Sequence, residues 1–368
     1  MMCLVASALA EAERHWTVTL VTLDLAHDSY SPSDRVSRIR LSTGGGLLRS
    51  MTALHSLIRR EGPDIIVSFL TRSNCAAIAG SRMMGIPCIA SERVHTTSHL
   101  SSADGGRLKR ALIRLLYPFA DRIIAVSHGI EDDLVENYGV AASKVATIYN
   151  PVDTGGIEDA ARVPPSVDIP ADFIVAVGRL VPNKNFAMLL RSYAAAKIES
   201  SLVILGEGAE RSRLLALARE LGIANKVHLP GFAANPYAIL ARAKFYVSPS
   251  NAEGFPNAMI EAMCIGLPVI STDCDSGPSE ILQGTAGASK VTELTMAKFG
   301  ILVPTNSEPA MSAALQVMSD APNRKHFAAA ARRRALDFSL DRALAEYRSV
   351  IGAGLPSFVG GRRLDVPA

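Results

Sequence analysis

The sequence predicts an α/β protein made of two doubly wound domains with parallel sheets. The chain has 368 residues, more than a single hydrophobic core usually supports, so two domains are the simplest division. Short runs rich in valine and isoleucine alternate with helical stretches, as in parallel sheets that are covered on both faces. A stretch rich in proline and glycine interrupts this alternation once, near residue 160.

Composition excludes several other classes of protein. Hydrophobic residues make up 48% and charged residues 20%, as in an ordinary globular protein. A formal net charge of +3 is too small to indicate a nucleic-acid partner. The five cysteines form no CxxC pair, which argues against a zinc site or a disulfide framework and suits a reducing cytoplasm. No apolar run approaches the ~18 residues of a membrane-spanning helix, so we expect a cytoplasmic protein.

The elements follow in chain order from an opening helix, MMCLVASALAEAER. Strand-like runs then recur at residues 16–23, 64–70, 87–91, 122–127, 144–149, 173–178, 201–206, 226–231, 244–250 and 267–272. These runs predict an N-terminal domain, a linker, a C-terminal domain, a last helix and a loose tail, over residues 1–155, 156–171, 172–337, 338–352 and 353–368.

Two glutamates frame the segment AEGFPNAMIEAM, residues 252–263. Glu253 is expected in a loop that enters a helix beginning near Pro256, and Glu261 is expected inside that helix. The free N–H groups at the start of a helix favour a phosphate. Two carboxylates beside an anion site suit a ligand that has both hydroxyls and phosphates. The alternative is a pair of surface glutamates.

A second motif, VGRLVPNKN, directly follows a predicted strand. It places Gly178, Arg179 and Lys184 at the carboxyl edge of a parallel sheet, where α/β proteins bind ligands. Arginine can fork onto phosphate oxygens and lysine supplies a mobile positive charge, so the two could clamp a diphosphate. The alternative is two solvated loop cations.

Three other motifs give weaker signals. The segment LGEGAER, residues 205–211, matches only half of a dinucleotide-binding fingerprint. His95 and His99 have metal-like spacing, but no third ligand accompanies them. Asp273 and Asp275 form a DxD pair that turn and helix-capping roles explain better than metal binding. We therefore predict no metal site.

The segment GGRLKRALIRLLYPFADR, residues 105–122, reads as a basic amphipathic helix. Such a helix suits shallow attachment to an anionic membrane surface. The alternative is a surface helix that packs its apolar face on the protein core.

Taken in order, these motifs resemble the family-4 (group 1) retaining glycosyltransferases. The matching segments are YNPVD (149–153), VGRLVPNKN (177–185), ILGEGAER (204–211), HLPGF (228–232) and residues 248–282, which carry the E-x7-E signature. The resemblance implies the GT-B fold, in which two Rossmann-like α/β domains turn parallel sheets towards each other across a cleft. It also implies that the helix over 338–352 returns to the N-terminal domain.

The resemblance implies a role for each matching residue. Glu253 would contact hydroxyls of the transferred sugar, and Glu261 would contact the nucleotide ribose. Arg179 and Lys184 would bind the diphosphate and, with Glu253, form the catalytic group. The remaining donor-binding residues would be Gly178, Phe232, Gly254, Phe255, Pro256 and Asn257. The co-substrate would be a nucleotide-diphosphate sugar, used without a cofactor or a metal, and the acceptor would be a glycan or a lipid-linked molecule.

The N-terminal domain departs from the family pattern in two places. Family members open with a strand and a glycine-rich loop, whereas this chain opens on the helix that follows them, so we expect a start site placed too far downstream. Where many members have a histidine, this chain reads CIASERVH, which makes Glu92, Arg93 and His95 the acceptor-side candidates. Two alternatives to a transferase stay open: a sugar-nucleotide-binding remnant without transfer activity, and a GT-B epimerase that acts on the sugar nucleotide.

Overall fold

The chain divides into two compact units. The structure, a computed structural model, describes residues 1–25, 31–101, 106–287, 289–355, 358–359 and 362–363. The first unit contains residues 1–150 together with 341–368, and the second contains residues 151–340. The predicted linker over 156–171 therefore falls inside the second unit.

The first unit is built from parallel strands and the helices that connect them. Its helices are α1 (Met2–Ala12), α2 (Leu47–Glu61), α3 (Thr71–Met84), α4 (Thr96–Ser101), α5 (Gly106–Leu116) and α6 (His128–Tyr138). Its strands are β1 (Val18–Thr22), β2 (Val36–Arg40), β3 (Ile66–Phe69), β4 (Cys88–Glu92), β5 (Arg122–Ala125) and β6 (Val145–Thr147). The strands form a two-stranded sheet, β1-β2, and a four-stranded sheet, β3-β4-β5-β6, and all pairs are parallel.

Two elements of the first unit can be compared with the predictions from sequence. The opening helix is confirmed as α1. Strand β2 was not predicted, because its sequence VSRIR has only two apolar residues, with two polar residues between them, and only Val36 is buried. Nearly continuous apolar runs, by contrast, are typical of strands buried on both faces.

The second unit has one large sheet, and helices connect its strands along the chain. Its strands are β7 (Phe173–Val177), β8 (Ser201–Leu205), β9 (Val227–Gly231), β10 (Tyr246–Ser248), β11 (Val269–Thr272), β12 (Thr295–Met296) and β13 (Ile301–Val303). Its helices are α7 (Thr154–Arg162), α8 (Phe186–Ala196), α9 (Arg211–Glu220), α10 (Tyr237–Leu240), α11 (Asn257–Cys264), α12 (Pro278–Gln283), α13 (Glu308–Ser319) and α14 (Ala321–Ala335). The strand order of this sheet is β12-β13-β11-β10-β7-β8-β9, in which β12 is antiparallel to β13 and the other described pairs are parallel.

Helix α7 occupies the first part of the predicted linker over 156–171, up to Arg162. The side chain of Asp153 accepts a hydrogen bond of 3.0 Å from the N–H of Gly156 and caps the helix. Ile157 is buried against the rest of the unit. Capping and burial thus outweigh the low helix propensity of the two glycines in the first turn.

The chain returns to the first unit through its last helix, α15 (Leu340–Gly354). Tyr347 is buried there, and Arg348 forms an ion pair of 2.8 Å with Glu13 after α1. Two short strands follow, β14 (Phe358–Val359) and β15 (Arg362–Arg363), and pair with each other. The rest of the tail predicted as loose over 353–368 lies mainly outside the described residues. Within the described part of the chain, no helix has the length and apolar composition that crossing a bilayer requires.

Candidate functional site

The predicted donor-site residues lie at one edge of the large sheet in the second unit. Strands β10, β7, β8 and β9 are neighbours and run parallel, so their carboxyl ends meet at the same edge. Gly178 and Arg179 follow β7, Phe232 follows β9, and Glu253 lies in the loop after β10. The fold therefore brings together residues from separate segments of the sequence.

Backbone hydrogen bonds join the loops after β7, β8 and β9. The N–H of Gly178 donates to the carbonyl of Leu205 at 2.9 Å, and the N–H of Gly206 donates to the carbonyl of Gly231 at 2.9 Å. A Cβ on Gly206 would lie 2.0 Å from the carbonyl oxygen of Gly178, and Gly206 has a φ of +140°. The glycine in LGEGAER thus allows backbone to approach backbone.

An ion pair joins the two motifs that the sequence singled out. The ammonium of Lys184 contacts Oε1 of Glu253, and only 12% of the glutamate side chain is exposed. The side chain of Asn183 donates to the carbonyl of Ala252 at 2.9 Å, on one flank of the pair. On the other flank, the side chain of Asn185 donates to that of Asn251 at 3.0 Å. The ion pair and the two neighbouring hydrogen bonds therefore join the two loops.

Hydrogen bonds and aromatic packing hold the backbone around and after Glu253 in place. The hydroxyl of Ser276 donates to the carbonyls of Glu253 and Gly254, at 2.7 and 3.0 Å. Phe255 is buried and packs edge-on against Phe338, with 5.3 Å between the ring centroids. These contacts hold the segment that leads into α11.

Helix α11 carries Glu261 into a partly buried position. Helix α11 begins at Asn257, with Pro256 as its N-cap residue. Burial is the main cause that raises the pKa of Glu261, and no described residue donates a hydrogen bond to its carboxylate. A buried carboxylate without a hydrogen-bond donor gains most from a ligand that donates hydrogen bonds.

Tyr246 on β10 belongs to the same site, although the sequence analysis did not single it out. Its side chain is buried, and burial raises its pKa far above the ordinary value, with the charges of Glu253 and Glu261 as further causes. The negative charges of both glutamates therefore raise the pKa of the same tyrosine hydroxyl. The available signal was a tyrosine within the apolar strand KFYVSPS, whose carboxyl end leads into the loop of Glu253.

Two predicted donor-site residues point into solvent. Arg179 is exposed, and no described residue forms an ion pair or a hydrogen bond with its guanidinium. Phe232 is one of the most exposed large apolar side chains of the described residues, since 69% of it is accessible. Both are free to meet a ligand, in contrast to the paired Lys184.

The DxD pair has contacts within the protein. The Asp273 carboxylate accepts hydrogen bonds from the Ser279 hydroxyl and, at 2.8 Å, from the N–H of Val291. The ammonium of Lys290 lies 3.8 Å from Asp273 and 3.7 Å from Asp275. These contacts agree with a turn role. In the ranges that the structure describes, no group of three or more potential ligands is arranged to hold a metal ion. That the protein works without a metal stays a prediction.

Glu92, one of the acceptor-side candidates, is fully enclosed in the first unit. Its carboxylate accepts hydrogen bonds from the Tyr117 hydroxyl and, at 3.0 Å, from the N–H of Arg93. Burial raises its pKa. The side chain of Asn74 in turn donates to the Tyr117 oxygen at 3.1 Å. With no exposed surface, Glu92 supports the end of β4 and cannot touch an acceptor from this position.

Arg93 and His95 lie nearby in different surroundings. The guanidinium of Arg93 donates to the side chain of Asn150 and to the Tyr347 hydroxyl, the latter at 3.3 Å, so it ties α15 to this edge. Nδ1 of His95 lies 2.9 Å from the hydroxyl of Ser98. Which of the two meets an acceptor stays a prediction.

Comparison with known protein families gives two matches that together span most of the chain. The model described as "Glycosyl transferases group 1" matches residues 162–334, which include all the predicted donor-site residues. The model described as "Glycosyltransferase Family 4" matches residues 3–155.

Two of the similar proteins are bacterial glycosyltransferases. One is the N-acetylgalactosamine-N,N'-diacetylbacillosaminyl-diphospho-undecaprenol 4-alpha-N-acetylgalactosaminyltransferase of Campylobacter jejuni. It is 34% identical, over 77% of this chain and 74% of that protein. Another is the lipopolysaccharide 1,6-galactosyltransferase of Escherichia coli, 31% identical over 67% of this chain and 66% of its own.

Solved structures confirm the predicted GT-B fold. A sucrose-phosphate synthase from Thermosynechococcus elongatus matches with a TM-score of 0.77 at 20% identity, over 95% of this chain and 92% of that one. Anabaena HepE, solved with UDP and glucose, matches with a TM-score of 0.75 at 17% identity, over 96% and 95%. At these identities the likeness shows the fold alone.

The buried hydrogen bond to Glu92 predicts a stability effect. Tyr117→Phe removes the donor to a buried carboxylate and should lower the free energy of unfolding by about 1.5–3 kcal/mol. Tyr193→Phe is the matched control, because its hydroxyl donates to a neutral carbonyl, that of Ser200, at 2.8 Å. It should cost about 1 kcal/mol. Urea unfolding at pH 7 measures both, and equal losses would contradict the role given to Glu92.

The burial of the Glu261 carboxylate, which has no hydrogen-bond donor among the described residues, predicts a stabilising substitution. Because burial raises its folded-state pKa, the neutral form favours folding, and this advantage is lost as the pH rises through that pKa. Glu261→Gln should therefore stabilise the free protein at pH 7 by about 1 kcal/mol or more. The gain should vanish below about pH 4, where the carboxyl is neutral in both states.

Thermal unfolding between pH 4 and 8 checks this expectation, with the exposed Glu220→Gln as control. A Glu261→Gln variant less stable than the parent chain at pH 7 would mean that the carboxylate has a partner in the free protein.

Proposed function

Because the chain belongs to the group 1, family 4 glycosyltransferases, we propose that it transfers a sugar from a nucleotide-diphosphate sugar with retention of anomeric configuration. The acceptor is a glycan or a lipid-linked molecule in polysaccharide or glycolipid synthesis. The observation that carries the proposal is the Lys184–Glu253 pair, held at the carboxyl edge of the sheet beside the free guanidinium of Arg179. One structural neighbour was solved with UDP and glucose, and the Campylobacter relative is named for a diphospho-undecaprenol substrate.

In this proposal the two cations act on the diphosphate of the donor. Arg179 is exposed and free to bind phosphate oxygens in a forked geometry. Lys184 moves its charge from Glu253 to the diphosphate, where negative charge accumulates as the sugar departs. Positive charge held in advance at that position lowers the barrier, since the protein need not reorganise during the reaction. The chain's own cations supply this charge, so no metal is required.

The two glutamates bind hydroxyls rather than exchange protons as an acid and base pair. Glu253, released by Lys184, accepts from hydroxyls of the transferred sugar. Glu261 accepts from the ribose, which satisfies a carboxylate that the free protein leaves without a donor. The backbone around Gly178, Phe232 and the 254–257 segment lines the rest of the donor site.

Helix α5 is proposed to contact an anionic membrane surface on the cytoplasmic side. Leu108 and Leu115 lie seven residues apart on one helix face and are 77% and 63% exposed. The alternative of an apolar face wholly packed on the core does not account for them, although Ile113 is buried on the opposite face. Arg107 and Lys109 are also exposed and supply positive charge for anionic lipid. Residue 105 of the predicted segment lies outside the described residues.

Substitution of Lys184 tests the transferase and its mechanism together. Lys184→Met should lower kcat for sugar transfer by about 10²–10³, because a preorganised cation is lost at the developing charge. Lys244→Met is the matched control: Lys244 pairs with Asp172 at 2.6 Å, and the two precede strands of the same sheet at its other end. The control should transfer sugar normally. Circular dichroism verifies that both variants fold.

The double variant Lys184→Met/Glu253→Gln separates two roles of the lysine. If Lys184 acts only by neutralising Glu253, the double variant is as active as Glu253→Gln alone. We expect it to be slower, because the diphosphate also loses its cation. Near-normal turnover of Lys184→Met would remove the lysine from the mechanism. Binding of nucleotide sugar without transfer would favour the remnant, and interconversion of the free sugar nucleotide would favour the epimerase.

Vesicle binding tests the proposed role of α5. Leu108→Ser/Leu115→Ser should weaken binding to vesicles of phosphatidylglycerol and phosphatidylcholine by about tenfold or more, through lost apolar burial. The control Val163→Ser/Leu336→Ser changes two exposed apolar residues of the second unit and should bind normally. Equal binding by the α5 variant and the parent chain would exclude α5 from the contact.

A further inference from the structure

Strands β4, β5 and β6 end together at one edge of the four-stranded sheet in the first unit. Glu92 of β4 pairs in register with Ala125 of β5, and Ala125 pairs with Thr147 of β6. The N–H of Ile148 continues this pairing with a hydrogen bond of 2.9 Å to the carbonyl of Ala125. The residues that directly follow the three strands therefore lie at the edge where parallel sheets bind ligands.

A hydrogen bond of Arg93 spans this edge. Arg93 follows β4, and its guanidinium donates to the side chain of Asn150, which lies beyond the end of β6. Strand β5 lies between those two strands. The bond therefore spans the end of β5, where His128 begins α6. His128 was not among the site residues predicted from sequence, yet the fold brings it to the same edge as Arg93.

A carboxylate orients the imidazole of His128. Nδ1 of His128 lies 3.1 Å from Oε2 of Glu131, which is one turn further along α6. The same oxygen accepts a hydrogen bond of 2.6 Å from the hydroxyl of Thr147 on β6. Because an ionised carboxylate only accepts, Nδ1 carries the proton of its contact with Glu131. Nε2 of the neutral ring is consequently a hydrogen-bond acceptor.

Tyr149, which follows β6, adds an aromatic ring at this edge. Its ring centroid lies 6.0 Å from that of His128, with an angle of 79° between the ring planes. The side chain of His128 is 40% exposed, compared with 15% for His95, whereas Glu92 is fully enclosed. His128 is therefore more accessible to a ligand than either of these two acceptor-side candidates.

An aromatic ring beside an oriented hydrogen-bond acceptor suits a sugar. The C–H groups of a sugar ring pack on an aromatic ring, and its hydroxyls donate to a fixed acceptor. A phosphate fits less well, because the carboxylate of Glu131 lies 3.1 Å from the imidazole and repels a second anion. The guanidinium of Arg93 is also committed to Asn150 and to the Tyr347 hydroxyl.

We propose that His128 and Tyr149 bind a sugar ring of the acceptor, with a hydroxyl of that ring donating to Nε2 of His128. Glu131 is the positioning residue, since it holds the imidazole in this orientation. The inference rests on the proposed function and narrows it, because it identifies the part of the acceptor that the first unit binds as a neutral saccharide.

Titration with neutral glycosides tests this site without any transfer. The methyl glycosides of glucose, galactose, N-acetylglucosamine and N-acetylgalactosamine are added to the full-length chain labelled at histidine and tyrosine. At least one glycoside should shift the NMR signals of both the His128 and the Tyr149 rings, and inorganic phosphate should not displace it. The proposal is overturned if no glycoside shifts these signals, or if phosphate displaces the glycoside.

Acceptor kinetics with the glycoside that binds give a second test. His128→Ala should raise KM for the glycoside by about tenfold or more and leave KM for the donor unchanged. His128→Gln should recover most of the loss, because its amide oxygen reaches the position of Nε2. His326→Ala is the matched control, since this histidine is exposed on α14 in the second unit, and it should leave both KM values unchanged.

Two variants of Glu131 test its positioning role. Glu131→Leu should raise the same acceptor KM without a change in donor KM. Glu131→Gln should restore it, because an amide oxygen still accepts from Nδ1 of His128 and from the hydroxyl of Thr147. Equal acceptor KM values for Glu131→Leu and the parent chain would remove the positioning role. Circular dichroism verifies that every variant folds.

Failure of this inference is distinguishable from failure of the proposed function. A parent chain that transfers sugar while His128→Ala keeps the parent KM for the acceptor overturns the inference and leaves the proposed function intact. A parent chain that shows the glycoside shifts but transfers no sugar contradicts the proposed function, and the shifts still support a sugar site at His128.

Discussion

The ion pair of Lys184 and Glu253 is the interaction on which the rest of the candidate site depends. It joins the loop after β7 to the loop after β10, and asparagines on both flanks repeat the connection with neutral hydrogen bonds. Two largely buried opposite charges lose hydration when they pair, so such a contact adds less stability than its geometry suggests. The ion pair matters mainly because it positions the two side chains. Lys184 is held ready for an anionic ligand group, and Glu253 is held ready for a group that donates hydrogen bonds.

The two glutamates of the E-x7-E segment lie in different electrostatic environments. Glu253 has a cation as its partner before any ligand arrives, whereas Glu261 has no hydrogen-bond donor among the described residues and a pKa that burial raises. A ligand must therefore exchange one contact at the first glutamate and adds a contact at the second. A binding site that retains an unsatisfied carboxylate gives up some folding stability, which is the pattern expected where function and stability compete.

Sequence patterns predicted the two-domain α/β architecture and most strands, because continuous apolar runs report burial on both faces of a sheet. They missed β2, whose two apolar residues carry little of that signal, and α7, whose capping by Asp153 and burial of Ile157 depend on tertiary structure. At the site, sequence spacing identified Glu253 and Lys184 as candidates, but it could not predict that they form an ion pair. Residues that meet across 69 positions leave no local periodicity, and the burial of Glu92 likewise depends on neighbours distant in sequence.

The return of α15 to the first unit has a consequence for biosynthesis. Arg93 bonds to Tyr347, and Glu13 pairs with Arg348, so the first unit combines residues 1–150 with residues of α15. The second unit is continuous from residue 151 to 340. During translation, residues 1–150 leave the ribosome before the helix that completes their unit, whereas the second unit has all its residues once residue 340 has been made. Of the two units, the one that is begun first is therefore completed second.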